Sequence, residues 1–313
     1  MQLIKDIYHT LRYWVRKAKI KPQRIKKAKV KYVIWRESSS CGLFSFLFTT
    51  IGQIAYADYY GMIPVVDFMN YENTYLEESL QGKENVWEYY FRQPYEGMVD
   101  EKTVKSVSQI KMCNGGSMWN PSANYRLFYN KRGELDYYRK ICQTYIKLSD
   151  EAEKKLILVQ QQLFAEKNNI LGVLARGTDY VTLKPKGHAI QPDVDTQLIP
   201  KIDEMILKDG YEYVYLATED QIILEKFKNK YSEKLLFYNR EHIPYNHSEF
   251  KNIATYTSQM NSSKKQQGMD YLMQIMLLTQ CQGFVGGITS ASICATCLPN
   301  TWENTYVFDL GTY

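Results

Sequence analysis

An α/β fold built on a parallel sheet is predicted by three segments in the carboxyl-terminal half. They are Ile170-Leu-Gly-Val-Leu-Ala-Arg-Gly-Thr-Asp-Tyr180, Tyr211-Glu-Tyr-Val-Tyr-Leu-Ala-Thr-Glu-Asp220 and Gly283-Phe-Val-Gly-Gly-Ile-Thr-Ser-Ala-Ser292. Each is a short apolar run that stops at hydroxyl, carboxylate or guanidinium groups. Strands buried on both faces read as such continuous runs. Between them, Ile222, Ile223, Phe227 and Tyr231 follow a helical pattern, and Asp270 to Leu278 reads as an apolar helix. Strands alternating with helices predict a parallel sheet wound by crossovers, with its polar strand ends gathered on one edge.

In chain order, residues 1–27 are expected to form a basic amphipathic arm. Ile7, Leu11, Trp14 and Ala18 share one helical face, Arg12, Arg16, Lys17 and Lys19 lie elsewhere, and Pro22 interrupts. From Arg12 to Lys31 there are ten basic residues and no acidic one; taking that +10 from the total of +5 leaves the rest at −5. Such a segment suits an anionic membrane surface. A solvated helix with no partner is the plain alternative. Nucleic-acid binding is not expected, because no recognition fold accompanies the arm.

Residues 28–134 are expected to form a first Rossmann-like domain. Lys31 to Trp35 reads as a strand, Ser38 to Gly42 as a loop, Leu43 to Tyr60 as a helix and Met62 to Phe68 as a second strand. The aromatics of residues 70–130 suit an irregular core better than sugar stacking. Leu135 to Phe164 has helical periodicity, so residues 135–168 are expected to link this domain to a second one at 169–313. At 313 residues the chain exceeds the size at which one core stops growing. Cys294 and Cys297 form a Cys-x-x-Cys within an apolar stretch and without a second pair, which predicts buried free thiols rather than zinc. The amino terminus lacks an unbroken apolar h-region and no run reaches membrane-spanning length, so a cytoplasmic protein is expected, peripheral on the inner face of the membrane if the arm binds lipid.

The succession Gly-Val-x-x-Arg-x-Thr-Asp, Leu-Ala-Thr-Glu-Asp, then helix, strand and Thr-Ser resembles the donor-binding half of the GDP-fucose-dependent fucosyltransferases. It is most similar to the α1,6-fucosyltransferase and protein O-fucosyltransferase group, over residues 170–298. The resemblance implies a GT-B-like fold, two Rossmann-like domains with parallel sheets facing across a cleft. It implies an inverting, metal-independent transferase taking fucose from GDP-fucose to a glycan or polysaccharide acceptor, with no cofactor. By the same resemblance Arg176 holds the donor diphosphate, Thr218 and Asp220 lie near the nucleotide, and Thr289 and Ser290 touch phosphate.

Three positions depart from the family pattern. Leu174 stands where the family has a histidine, Gly177 replaces the second arginine of an Arg-Arg pair, and Gln274 replaces the acid that reads guanine, with Asp270 one helical turn earlier. Another nucleotide sugar, or a non-catalytic nucleotide- or glycan-binding protein of the same fold, therefore stays in play. The acceptor hydroxyl needs a base, and Asp179 and His188 are the candidates in the loop after the first of the three strands. Asp193-Val-Asp195 has the look of a metal-binding Asp-x-Asp. It follows Pro192 and opens a helical run, so a helix cap is expected and no metal site.

Overall fold

The computed structural model describes residues 2–19, 22–114, 132–177, 184, 186–243, 260 and 262–313. The chain divides into two compact units, Met1–Glu151 with Thr296–Pro299, and Ala152–Ala295 with Asn300–Tyr313. Asp179 lies outside the described residues.

The first unit opens with helix α1 (Gln2–Lys19), followed by a 3-10 turn over Pro22–Lys27. Ile25 in that turn is completely buried, so the basic segment is anchored in the core of this unit. Strand β1 (Val30–Trp35) leads through the Ser38–Gly42 loop into α2 (Leu43–Tyr60). Helix α2 is apolar on nearly every face and correspondingly buried, and Gly61 ends it at φ 66°, a left-handed conformation that glycine adopts without penalty. Strand β2 (Ile63–Val66), short helices α3 (Val86–Tyr90) and α4 (Glu101–Ser106), strand β3 (Gln109–Asn114) and α5 (Arg132–Tyr145) complete the unit. The sheet is parallel, in the order β2-β1-β3. Trp87, Tyr90 and Phe91 are 2%, 0% and 1% exposed, so these aromatics fill the core.

Helix α6 (Asp150–Phe164) belongs to the second unit from Ala152 onward. The helical periodicity expected to run from Leu135 to Phe164 is thus broken between α5 and α6. The cause is tertiary: Arg92 N–H donates to the Lys147 carbonyl, Ser149 N–H donates to the Tyr90 carbonyl, and Phe91 bridges Leu148 in antiparallel fashion.

The second unit continues with β4 (Ile170–Leu174), a π turn at Val194–Leu198, α7 (Ile199–Asp209), β5 (Tyr213–Ala217), α8 (Gln221–Tyr231) and β6 (Leu235–Phe237). Then come α9 (Lys264–Leu278), β7 (Gly283–Gly287), α10 (Ser290–Cys297) and β8 (Asn304–Phe308). All strand pairs are parallel, in the order β6-β5-β4-β7-β8. One face of the sheet packs Leu171, Val173, Val214 and Leu216 against Ile202, Ile223 and Phe227 from α7 and α8. Gly172 leaves room for α9, since a Cβ there would lie 2.8 Å from Leu278 Cδ1. Cys294 and Cys297, on α10, are buried free thiols.

Candidate functional site

The strand order of the second sheet locates the site. From β4 the chain moves outward through β5 to β6, then returns to the other side of β4 as β7 and continues to β8. The direction reverses between β4 and β7, and in open α/β sheets ligands bind outside the carboxyl ends of the strands at such a point. Arg176 follows β4 there, and the Ile288–Ser290 turn follows β7.

The guanidinium of Arg176 is held by a carboxylate. Its Nη1 lies 3.3 Å from Glu219 Oε2, with the two side chains 10% and 9% exposed. The second carboxylate oxygen accepts the Gly177 amide at 3.2 Å. Ala175 N–H donates to the Ala217 carbonyl at 3.0 Å, which extends the β4–β5 ladder and brings the two polar strand ends side by side. Glu219 was not singled out in the sequence, although it stands between two residues that were.

Thr218 and Asp220 are placed at this edge but turn inward, at 2% and 5% exposure. The Asp220 Oδ1 caps α8 by accepting the amides of Ile222 (2.8 Å) and Ile223 (3.2 Å). Thr218 Oγ1 accepts the Asp220 amide at 3.2 Å. Gly177 is needed because Asp220 presses on it: a Cβ at this position would lie 2.2 Å from Oδ2. That contact leaves no room for a side chain at position 177 unless Asp220 moves.

Across the switch point, Thr289 and Ser292 form a reciprocal cap at the start of α10. The Thr289 hydroxyl accepts the Ser292 amide at 3.0 Å and the Ser292 hydroxyl accepts the Thr289 amide at 2.8 Å. Thr289 is buried, whereas Ser290, the first residue of the helix, is half-buried at its amino-terminal end. Amide groups and the helix dipole make such an end favourable for an anion. Ser292 was missed in the sequence, and its spacing of three from Thr289 was the available signal.

Gly286 and Gly287 serve packing. A Cβ on Gly286 would lie 2.8 Å from the Leu174 carbonyl, and one on Gly287 would lie 2.2 Å from Gln191 Oε1. Gln191 in turn donates through Nε2 to the carbonyls of Ala189 and Ile288, each at 3.0 Å. This ties the His188 loop to the turn that precedes α10. His188 itself is exposed, its carbonyl accepting the Tyr313 amide at 3.0 Å.

Asp270 and Gln274 both lie on α9 and both are engaged within the unit. Asp270 Oδ1 accepts from Lys155 (3.1 Å), Tyr238 (2.7 Å) and Gln266 (2.6 Å). Gln274, 2% exposed, accepts from Arg240 Nη1 at 3.4 Å and donates to the Thr218 carbonyl at 2.7 Å. Arg240 also lines a cavity of about 590 Å³ with Lys228, Phe237, Asn239 and His242, beside β6.

Burial, with the nearby Arg240 charge, pushes the His242 imidazole down from 6.5 to about 4. The unfolded chain then binds a proton near pH 6.5 that the folded chain refuses until about pH 4. Stability contributed by this group is complete above pH 6.5 and falls as pH drops toward 4. Urea unfolding at pH 7 and pH 5 is expected to show a smaller loss in His242→Gln than in the unaltered chain. An identical loss in both would remove His242 as the cause.

Asp193 caps the Val194–Leu198 turn through the Thr196 amide at 2.8 Å, as the sequence predicted, and hydrogen bonds from Thr196 hold its carboxyl below the ordinary range. Asp195 pairs with Lys226. Among the described residues, no three His, Cys, Asp or Glu groups cluster to hold a metal.

Solved fucosyltransferase structures are similar in fold to this chain. NodZ alpha-1,6-fucosyltransferase, in a crystal soaked with GDP-fucose, superposes with a TM-score of 0.52 at 15% identity, covering 90% of this chain and 95% of that one. NodZ from Bradyrhizobium gives 0.54 at 16%, with coverage of 90% and 95%. Arabidopsis thaliana FUT1, in complex with GDP, gives 0.50 at 10%, with coverage of 94% and 73%. No protein-family model and no curated protein sequence matches the chain. The chain shares its fold with the fucosyltransferase NodZ and with plant FUT1.

Proposed function

We propose that the chain is an inverting, metal-independent glycosyltransferase that moves fucose from GDP-fucose to a hydroxyl of a glycan or polysaccharide. The observation that carries this reading is the pairing of a fixed guanidinium, Arg176, with the start of α10 at Thr289 and Ser290 on the two sides of the β4–β7 switch point. In the reaction the acceptor oxygen bonds to the anomeric carbon from the face opposite the nucleotide. The bond from that carbon to phosphate oxygen breaks, its electron pair stays on GDP, and the acceptor proton passes to a base. Arg176, the Ser290 hydroxyl and the first amides of α10 are suited to the charge that grows on the leaving phosphate. The base belongs in the loop that contains Asp179 and His188, of which His188 is exposed and adjoins the Gln191 anchor. The nucleotide base belongs on the Gln274 side, where Arg240 and Phe237 line the cavity beside β6.

Because the positive charge comes from the chain itself, turnover is expected to be unchanged by EDTA. Loss with EDTA and recovery with manganese would overturn metal independence. The donor assignment is tested by screening nucleotide sugars for hydrolysis and for transfer, with GDP-fucose expected to turn over. A transferase for a different nucleotide sugar is the second reading, favoured by the internal bonds that occupy Asp270 and Gln274. Tight GDP binding without turnover of any donor would make the chain a binding protein. Within the first reading the enzyme is cytoplasmic and works beside the inner face of the membrane, where a growing polysaccharide acceptor is presented.

A further inference from the structure

We propose that α1 docks the protein on an anionic lipid bilayer, lying in the plane of the surface with its apolar face inserted. The proposal gives the membrane placement above a named surface, and it stands or falls independently of the donor. Ile4, Ile7, Tyr8, Leu11, Trp14 and Val15 are 72%, 52%, 62%, 59%, 49% and 52% exposed. At 100° per residue they fall within one arc of about 120° on the helix, which matches the apolar face of an interfacial helix. A row of this size held in water is unusual for a helix that also packs along α5.

Charge selects the occupant. Arg12 and Lys19 are exposed on α1, and Lys26, Lys27 and Lys29 are exposed just beyond it. No acidic residue interrupts the run from Arg12 to Lys31, while the remaining chain carries −5. A second copy of this chain would bring the same cations face to face, whereas phosphate headgroups complement them. Insertion across the bilayer is not the mode, because no helix among the described residues is long and apolar enough to cross a membrane. Helix α1 packs along α5 within its unit, and Ile25 beyond it is buried.

The test is cosedimentation of the full chain with phosphatidylcholine vesicles, with and without phosphatidylglycerol. Binding is expected only with the anionic lipid and is expected to weaken as salt rises, since each cation near the surface accounts for about fivefold in partitioning. Leu11→Asp, on an exposed position, is expected to abolish sedimentation, and Lys26→Glu with Lys27→Glu to reduce it at least tenfold. Leu207→Asp, at a position 87% exposed on α7, is expected to leave it unchanged. Donor hydrolysis in vesicle-free solution is expected to be equal in all of these variants, which separates this proposal from the catalytic one. The proposal is overturned if the unaltered chain ignores anionic vesicles, if Leu11→Asp still sediments, or if Leu11→Asp instead dissolves a dimer of a chain that binds no lipid.

Discussion

Replacing Arg176 with alanine is expected to lower donor turnover by on the order of 10²–10³, the effect of removing one preorganised donor from a developing oxyanion. Lysine is expected to restore little, because it supplies a point charge in place of a planar fork. The ion pair with Glu219 adds a second consequence. Both side chains are about nine-tenths buried, so alanine leaves a carboxylate without its cation, a change that costs about 3 kcal/mol or more in comparable buried pairs. Activity could then fall because the site loosens. Arg176→Ala combined with Glu219→Gln separates the two effects: an amide keeps a hydrogen bond to Gly177 N–H without the uncompensated charge. The double variant is expected to regain most of the thermal stability and none of the turnover. If it regains turnover as well, Arg176 is a structural partner of Glu219 and not a phosphate ligand.

The strands β2, β4, β5 and β7 were legible in the sequence for one physical reason. A strand covered on both faces needs apolar side chains in succession, and its end is marked where polar groups begin. Strand β3 gave no such signal, because its side chains alternate around Gln109, Ile110, Lys111 and Met112 and are largely exposed. Strands β6 and β8 were missed because one is three residues long and the other opens with exposed Asn304, Thr305 and Tyr306. At the site, chemistry at the strand ends could be read, whereas the partner of each polar group could not. Thr218 and Asp220 stand at the carboxyl end of β5, yet a helix cap takes the Asp220 carboxylate, and Glu219 between them holds the arginine. Partner choice follows from side-chain direction at the turn into α8, which adjacent positions in a sequence do not encode.

The role of Gly177 leads to the second large effect. Gly177→Ala is expected to destabilise the chain by about 2 kcal/mol and to depress turnover, although the substitution adds one methyl group. The new Cβ would lie 2.2 Å from Oδ2, 2.8 Å from Cγ and 2.9 Å from Cβ of Asp220. The backbone at Gly177 is not in the left-handed region, so the cost is contact and not conformation. Asp220 has no easy retreat, because its other oxygen holds the amides of Ile222 and Ile223 at the start of α8. Moving it gives up a cap worth about 1 kcal/mol and shifts Glu219 next to it, which carries the displacement to Arg176. Asp220→Ala loses the cap and removes the Oδ2 and Cγ contacts, leaving its own Cβ 2.9 Å from the new one, so the two substitutions are expected to be non-additive. When unfolded in urea, Gly177→Ala should cost clearly less in the Asp220→Ala background than in the unaltered chain. Additive losses, or a Gly177→Ala variant with unaltered stability and turnover, would show that Asp220 does not govern the residue at position 177.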